Sequence, residues 1–277
     1  AAAPDARVIF HAPDLNNLRE MREAIHVGDP TAHAKAEKTR SREAAIMQAV
    51  DHVVLVSPAE LPFLTEIVPE RRISVFPALY SPVIAEPLGF AERSHLFFLG
   101  GFKHRPNIDA VTWFVDNVWP RIHAARPDLT FDILGAEAPS KVISLGNRPG
   151  VRFVGFVADL DPVMVRYRLS VVPLRYGAGI KGKMGAAMGA GVPCVTTPIG
   201  AEGMSIVDGR HALVRDTAEG FAEAVLALYD NQAMWERISA EGRRLVDAHF
   251  GFAANRASFY RTLGDAKALP LDAYVTT

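Results

Sequence analysis

The 277-residue sequence predicts an α/β protein built from doubly wound parallel sheets, on three observations. Short apolar runs alternate with longer helical segments along nearly the whole chain, the order that parallel βαβ units require. The runs are apolar at nearly every position, as in HVVLV (His52 to Val56) and HLFFL (His95 to Leu99). That pattern suits strands covered by helices on both faces. Glycines follow several of these runs, at Gly100-Gly101, Gly135 and Gly177 to Gly179, and ligands of such sheets sit at the carboxyl ends of the strands.

Taken in order, Arg7 to His11 reads as a strand and Asp14 to Glu23 as a helix. Asp29-Pro30-Thr31 starts a second helix, with an N-cap and a proline in the first turn, running to about Ala49. His52 to Val56 is the next strand. Ser57 then caps a further helix, with Glu60 as its capping-box partner. Arg72 to Phe76 is a strand. From Pro77 to Glu92 prolines and a glycine interrupt the pattern, the mark of a linker. Alternation resumes with strand His95 to Leu99, helix Ile108 to Ala125, strand Leu129 to Leu134, a short helix Pro139 to Leu145 and strand Val151 to Val154. A helix over Asp159 to Tyr167, capped by Asp159, precedes strand Leu169 to Leu174, helix Met184 to Ala190 and strand Val192 to Thr197. A last strand at His211 to Val214 is followed by helices Ala218 to Tyr229, Gln232 to His249 and Ala253 to Leu263. The expected division is a partial amino-terminal lobe over 1–80, a linker over 81–94 and a larger Rossmann-like domain over 95–250. Residues 251–277 would form a terminal helix and tail crossing back to the first lobe.

Composition narrows the function. Hydrophobic residues make up 49 % and charged ones 22 %, the balance of a globular protein. With a net charge of −1 the molecule has no overall field that favours nucleic acid, so any anion site is local. The single cysteine, Cys194, lies in an apolar run and reads as a buried structural thiol. Nine histidines and one cysteine show no metal-ligand spacing, and no G-x-S-x-G elbow is present. No apolar segment approaches the roughly 20 residues of a membrane span, and no signal-peptide pattern opens the sequence. The expectation is a cytoplasmic protein, with peripheral contact at the inner face of a membrane left open.

Two strand-to-helix turns carry glycine with base: Gly100-Gly101 with Lys103 and Arg105, and Gly177 to Gly179 with Lys181 and Lys183. Free N–H groups at a helix start, the helix dipole and nearby lysines together make an anion site. In a parallel sheet both turns open on one edge and would converge on a single guest, of which a diphosphate has the charge to use both. A packed turn with solvated lysines is the structural alternative. His11 ends a strand of the first lobe, either as a plain histidine or as a group that meets a substrate hydroxyl or moves a proton. Asp14 is a turn or cap residue or a neighbour of that site, and Glu202 is a solvated loop carboxylate or an acceptor for sugar hydroxyls.

LFFLGGFKHRPNIDAV, VRFVGFVADL, VVPLRYGAGIKGKMGAAMGAGVPCVTTPIGAEGM and DGRHALV follow one another in an order that resembles the carboxyl-terminal domain of retaining GT-B glycosyltransferases, glycosyltransferase family 4. FHAPDLNNLREMRE and VVLVSPAE resemble the later half of that family's amino-terminal domain, so the likeness runs from about Arg7 to Leu263. It implies a GT-B-like fold with an incomplete amino-terminal lobe and a nucleotide-diphosphate sugar held between two Rossmann-like lobes, with no cofactor or metal. The acceptor would be a glycan, lipid or protein; nucleic acid is not expected. By the resemblance Gly101, Lys103, Arg105, Gly179, Lys181 and Lys183 surround the diphosphate. Gly155, Phe156 and Val157 flank the base, Gly200 to Met204 with Glu202 approach the sugar or ribose, and His11 faces the transferred sugar.

Two departures accompany the likeness. Where the family reads K-x-K-x-x-E-A-M, Ala186 replaces the ribose-binding glutamate, and Ala178 stands where a second glutamate is frequent. The family's first strands and its amino-terminal glycine loop have no counterpart ahead of Arg7. These departures favour a rival reading, a catalytically degenerate binding or assembly module. A sugar-nucleotide epimerase of the same architecture is a third, and its motifs match less well.

Overall fold

The fold follows from which apolar runs find a partner strand. A computed structural model describes residues 6–77 and 83–267. In the small lobe β1 (Ile9–Ala12) leads through α1 (Asn16–Val27) and α2 (Pro30–Ala49) to β2 (His52–Leu55). A 3₁₀ turn at Pro58–Glu60 runs into α3 (Leu61–Leu64), and β3 (Ile73–Val75) closes the lobe. The three strands form a parallel sheet in the order β1-β2-β3. Every residue of β2 is buried, because it is the central strand.

The first turns show how the helices are fixed. Asp29 accepts from the Thr31 N–H at 2.8 Å, the cap expected for α2. Helix α1 starts at Asn16 rather than at Asp14, and its first residues carry no side-chain cap of their own. Glu43, projecting from α2, accepts from the backbone N–H groups of Asn16 and Asn17 at 3.1 and 3.0 Å. One helix therefore satisfies the orphan donors of its neighbour.

The larger unit contains β4 (Ser94–Leu99), α4 (Arg105–Trp113), α5 (Trp119–Ala125), β5 (Phe131–Leu134), α6 (Ser140–Ile143) and β6 (Val151–Gly155). It continues through α7 (Asp161–Met164), β7 (Tyr167–Val172), α8 (Gly182–Gly189), β8 (Cys194–Thr196), α9 (Pro198–Ala201) and β9 (Leu213–Val214). Helices α10 (Ala218–Asp230), α11 (Gln232–Phe250) and α12 (Phe252–Asp265) complete the described chain. Six parallel strands lie in the order β6-β5-β4-β7-β8-β9. Strand order reverses between β4 and β7, the topological switch point where such folds bind ligands.

Several expectations are corrected by this structure. The helix expected over Ile108 to Ala125 begins at Arg105 and is broken by a π-helical turn at Phe114–Val118. Pro120, which offers no N–H to the carbonyl one turn back, supplies the reason. Helix α7 is four residues long and Asp159 does not cap it. Tyr167 instead opens β7, with its hydroxyl 2.6 Å from Asp132 and its ring 4.8 Å from that of Phe97. Within the expected linker, residues 78–82 lie outside the described residues, and Phe90–Glu92 forms a 3₁₀ turn. Val83, Ile84 and Phe90 pack on the core of the large sheet. Buried Arg93 donates to the carbonyls of Leu88 at 2.8 Å and Ala190 at 2.9 Å, which binds this stretch down. Helix α12 lies on the small lobe: Ser74 donates to Asp265 at 3.0 Å, and the Phe76 and Phe259 rings are 5.8 Å apart.

The large core centres on Phe114, whose ring lies 4.6 Å from Phe131 and 5.8 Å from Phe221. Phe114→Ala is expected to lower unfolding free energy by about 3–5 kcal/mol in chemical denaturation. Phe156→Ala, at a side chain that is 72 % exposed, should change it by less than about 0.5 kcal/mol.

Candidate functional site

At the switch point a cleft of ≈ 300 Å³ opens between the two units. Pro13, Asp14 and Arg19 line it from the β1–α1 turn and the start of α1, and His104, Pro106 and Asn107 from the β4–α4 turn. The β7–α8 turn supplies Leu174, Tyr176, Gly177, Ala178, Ile180, Lys181, Gly182 and Lys183. Helix α8 starts there with no side chain capping it, so its first N–H groups and dipole favour an anion.

Lys183, in the first turn of α8, donates to Asn107 Oδ1 and lies 4.6 Å above the Phe98 ring. Asn107 in turn donates to the Gly101 carbonyl at 2.8 Å. Burial, with the charge of Lys181 beside it, pushes the Lys183 ammonium down to about 7. Lys181 is 6 % exposed and donates to the carbonyls of Ala178 at 3.2 Å and Gly179 at 2.5 Å. Burial pushes it down to about 8, against the attraction of Glu202. Two crowded cations with no carboxylate in direct contact lower their free energy by taking an anion.

The glycine turn is placed differently from the expectation. Gly177 gives its carbonyl to Arg22 at 2.7 Å, and the Gly179 N–H goes to Glu60 Oε1 at 3.2 Å. Gly179 has φ +68°, and a Cβ there would stand 3.0 Å from the Pro13 carbonyl oxygen. The left-handed backbone together with that tight approach favours glycine so close to the other lobe. The expected capping box is absent from its place: Ser57 accepts from the Ala59 N–H at 3.2 Å, while Glu60 reaches Leu15 and Gly179 instead of Ser57.

Not every sequence candidate reaches the cleft. Lys181 and Lys183 are at it; Gly179 is buried behind the lining with its N–H on Glu60, and Gly101 holds Asn107 through its carbonyl. Lys103 is exposed and pairs with Glu137 at 2.6 Å; exposed Arg105 pairs with Glu23 at 2.8 Å. The expected convergence of bases from both turns is thus corrected: His104 and Asn107 face inward, and the long charged chains meet carboxylates in water. Phe156 is exposed beyond β6, away from the cleft lining. Gly200 is buried under Thr196 and Val172, where a Cβ would stand 2.7 Å from the Val172 carbonyl. Glu202 is held by both terminal nitrogens of Arg22 at 2.7 Å, so its carboxylate is spent on the lobe contact. His11 is exposed on β1 with its ring 6.4 Å from Phe76; Pro13 and Asp14 reach the cleft in its stead.

Arg22, Glu60 and Asn107 were not singled out from sequence for this site. Asn107 follows Pro106 in the first turn of α4, a position legible as a helix start. Arg22 had no signal beyond a charged helix face. Among the described residues no group of three or more His, Cys, Asp or Glu side chains is arranged to hold a metal ion, and no helix is long and apolar enough to cross a membrane.

The sequence profile described as "Glycosyl transferases group 1" matches residues 93–231, just over half of the chain. The chain belongs to the glycosyl transferases group 1 family. Comparison with curated protein sequences finds no match. Solved structures place the fold of this group 1 chain as GT-B. Sucrose-phosphate synthase from Thermosynechococcus elongatus matches with a TM-score of 0.70 at 19 % identity, over 93 % of this chain and 68 % of that one. HepE from Anabaena, in complex with UDP and glucose, gives 0.66 at 14 % over 93 % and 71 %. A point mutant of S. aureus TarM, in complex with fondaparinux, α-GlcNAc-glycerol and UDP, gives 0.69 at 12 % over 81 % and 46 %. The chain therefore spans about half the length of TarM.

The depressed lysines set a pH dependence. Unfolded, both hold their protons up to about 10.4. Folded, they release them near 7 and 8, so the unfolded state binds more protons between those limits and stability rises with pH there. Lys183→Met should flatten this rise between about pH 7 and about pH 10 in denaturant titrations, since one of the two groups is removed.

Proposed function

We propose that this chain carries the donor site of a retaining glycosyltransferase of family 4, which transfers a sugar from a nucleotide diphosphate to a glycan, lipid or protein acceptor. The observation that carries the reading is the meeting of Lys181, Lys183 and the uncapped start of α8 at one cleft on the switch point. The group 1 match covers that whole turn, and neighbours of the same fold hold UDP.

In the proposed reaction the bond from the anomeric carbon to the diphosphate oxygen breaks, an acceptor hydroxyl oxygen bonds to that carbon on the same face, and its proton passes to the departing diphosphate oxygen. Negative charge grows on the departing diphosphate. Lys183, steadied by Asn107, and Lys181, anchored on the glycine-turn carbonyls, would stabilise that charge, with the α8 dipole behind them. An anion at the cleft would also draw both lysines back to the charged state near neutral pH. Asp14, next to Arg19, is the carboxylate lining the opposite wall and would face the sugar.

Calorimetric titration with UDP and with GDP, each against its monophosphate, tests the reading. Diphosphate binding in the micromolar range, at least about tenfold tighter than the monophosphate, is expected, and Lys183→Ala should weaken it by about tenfold or more. No binding by folded protein would instead support a degenerate module, which the alanines at 178 and 186 would then explain.

A further inference from the structure

Glu60 is a buried carboxylate with no part in the transfer described above. It is 1 % exposed. Its Oε1 accepts from Leu15 N at 3.0 Å in the small lobe and from Gly179 N at 3.2 Å in the large one. Its Oε2 is buried with no hydrogen-bond partner among the described residues, a costly state for a carboxylate oxygen. Lys181 grips the same glycine from the other side through its carbonyl at 2.5 Å. Charged groups face Glu60 from each neighbouring element: Asp14 from the β1–α1 turn and Lys181 from the β7–α8 turn, with Arg22 and Glu202 beside Lys181. Burial, reinforced by Asp14, holds the Glu60 carboxyl above the ordinary carboxylate range against its two backbone donors.

We propose that Glu60 is the resident anion of the glycine turn: it holds the Gly179 N–H, and with it the contact between the lobes, and competes with the diphosphate of a donor for that turn. This rests on the donor reading of the cleft. The turn that Glu60 holds lines the cleft through Gly177, Ala178 and Lys181, and two negative charges at one enclosed turn repel strongly. Diphosphate binding is therefore coupled to protonation of Glu60 or to release of its hold on Gly179. Glu60 is a positioning residue that sets donor affinity without being consumed in the reaction.

The test is UDP titration of the parent and of Glu60→Gln, which keeps the shape and the acceptor oxygen but drops the charge, at about pH 8 and at about pH 5. The variant should bind UDP about tenfold more tightly at the higher pH. The advantage should shrink at the lower pH, because the Glu60 carboxyl is held above the ordinary carboxylate range and loses its charge as pH falls. Equal affinities at both pH values, or weaker binding by the variant, overturn the proposal. If Glu60→Gln does not fold, Glu60→Asp takes its place, since its shorter side chain loosens the hold on the Gly179 N–H. Tighter UDP binding than the parent supports the proposal, and equal or weaker binding overturns it. A parent that binds no UDP at any pH overturns the donor reading and this proposal with it, whereas binding indifferent to Glu60→Gln overturns this proposal alone.

Discussion

The N–H of Gly179 points at a carboxylate of the other lobe, and the arrangement of the cleft depends on that contact. Because the N–H groups of Leu15 and Gly179 share one oxygen of Glu60, the β7–α8 turn is pressed against the β1–α1 turn, and the left-handed backbone and close approach there favour glycine. Around it one face of α1 docks on the large lobe. Arg22 holds Glu202 and Gly177, Glu23 holds Arg105, and the His26 ring lies tilted 5.2 Å from that of Tyr176 and 3.5 Å from Asp109. These residues stand at helical spacing, so a single helix face carries the polar seam.

The seam changes the meaning of several charged residues. Glu202 and Arg105, which sequence offers to a ligand, are used to hold the lobes together. The lysines that remain at the cleft are those whose charge the fold leaves least compensated. Lys183 is braced by a neutral amide, and Lys181 by carbonyls. Neutral partners orient a cation without cancelling its charge, which leaves the charge available to an anionic guest.

The alanines that depart from the resembling family also have a structural setting. Ala178 packs against the apolar cluster of the small lobe, and Ala186 against the core of the large one. Ala178 is half-buried, with one side on that cluster and the other on the cleft lining. The same close docking that uses the glycine turn thus accommodates a small apolar residue beside it. Among the described residues the small lobe's sheet has three strands, and α12 returning across it adds cover.

What the sequence by itself determined is local and periodic. Continuous apolar runs set parallel strands, Asp29-Pro30 set the start of α2, and the glycine turns set where chain and ligand meet, because each signal lies within a few residues. Helix breaks followed tertiary demands: Pro120 forced a π turn inside a helical pattern, and Tyr167 left α7 to pair in the sheet. The fate of individual charges was decided only by tertiary structure. Lys103 and Lys183 are both lysines that follow glycine turns, yet one is exposed on Glu137 and the other enclosed on Asn107. Glu60 matched a capping box in sequence and became a bridge between lobes in space. A side chain with several rotatable bonds goes wherever desolvation and partners balance, and those partners come from segments far along the chain.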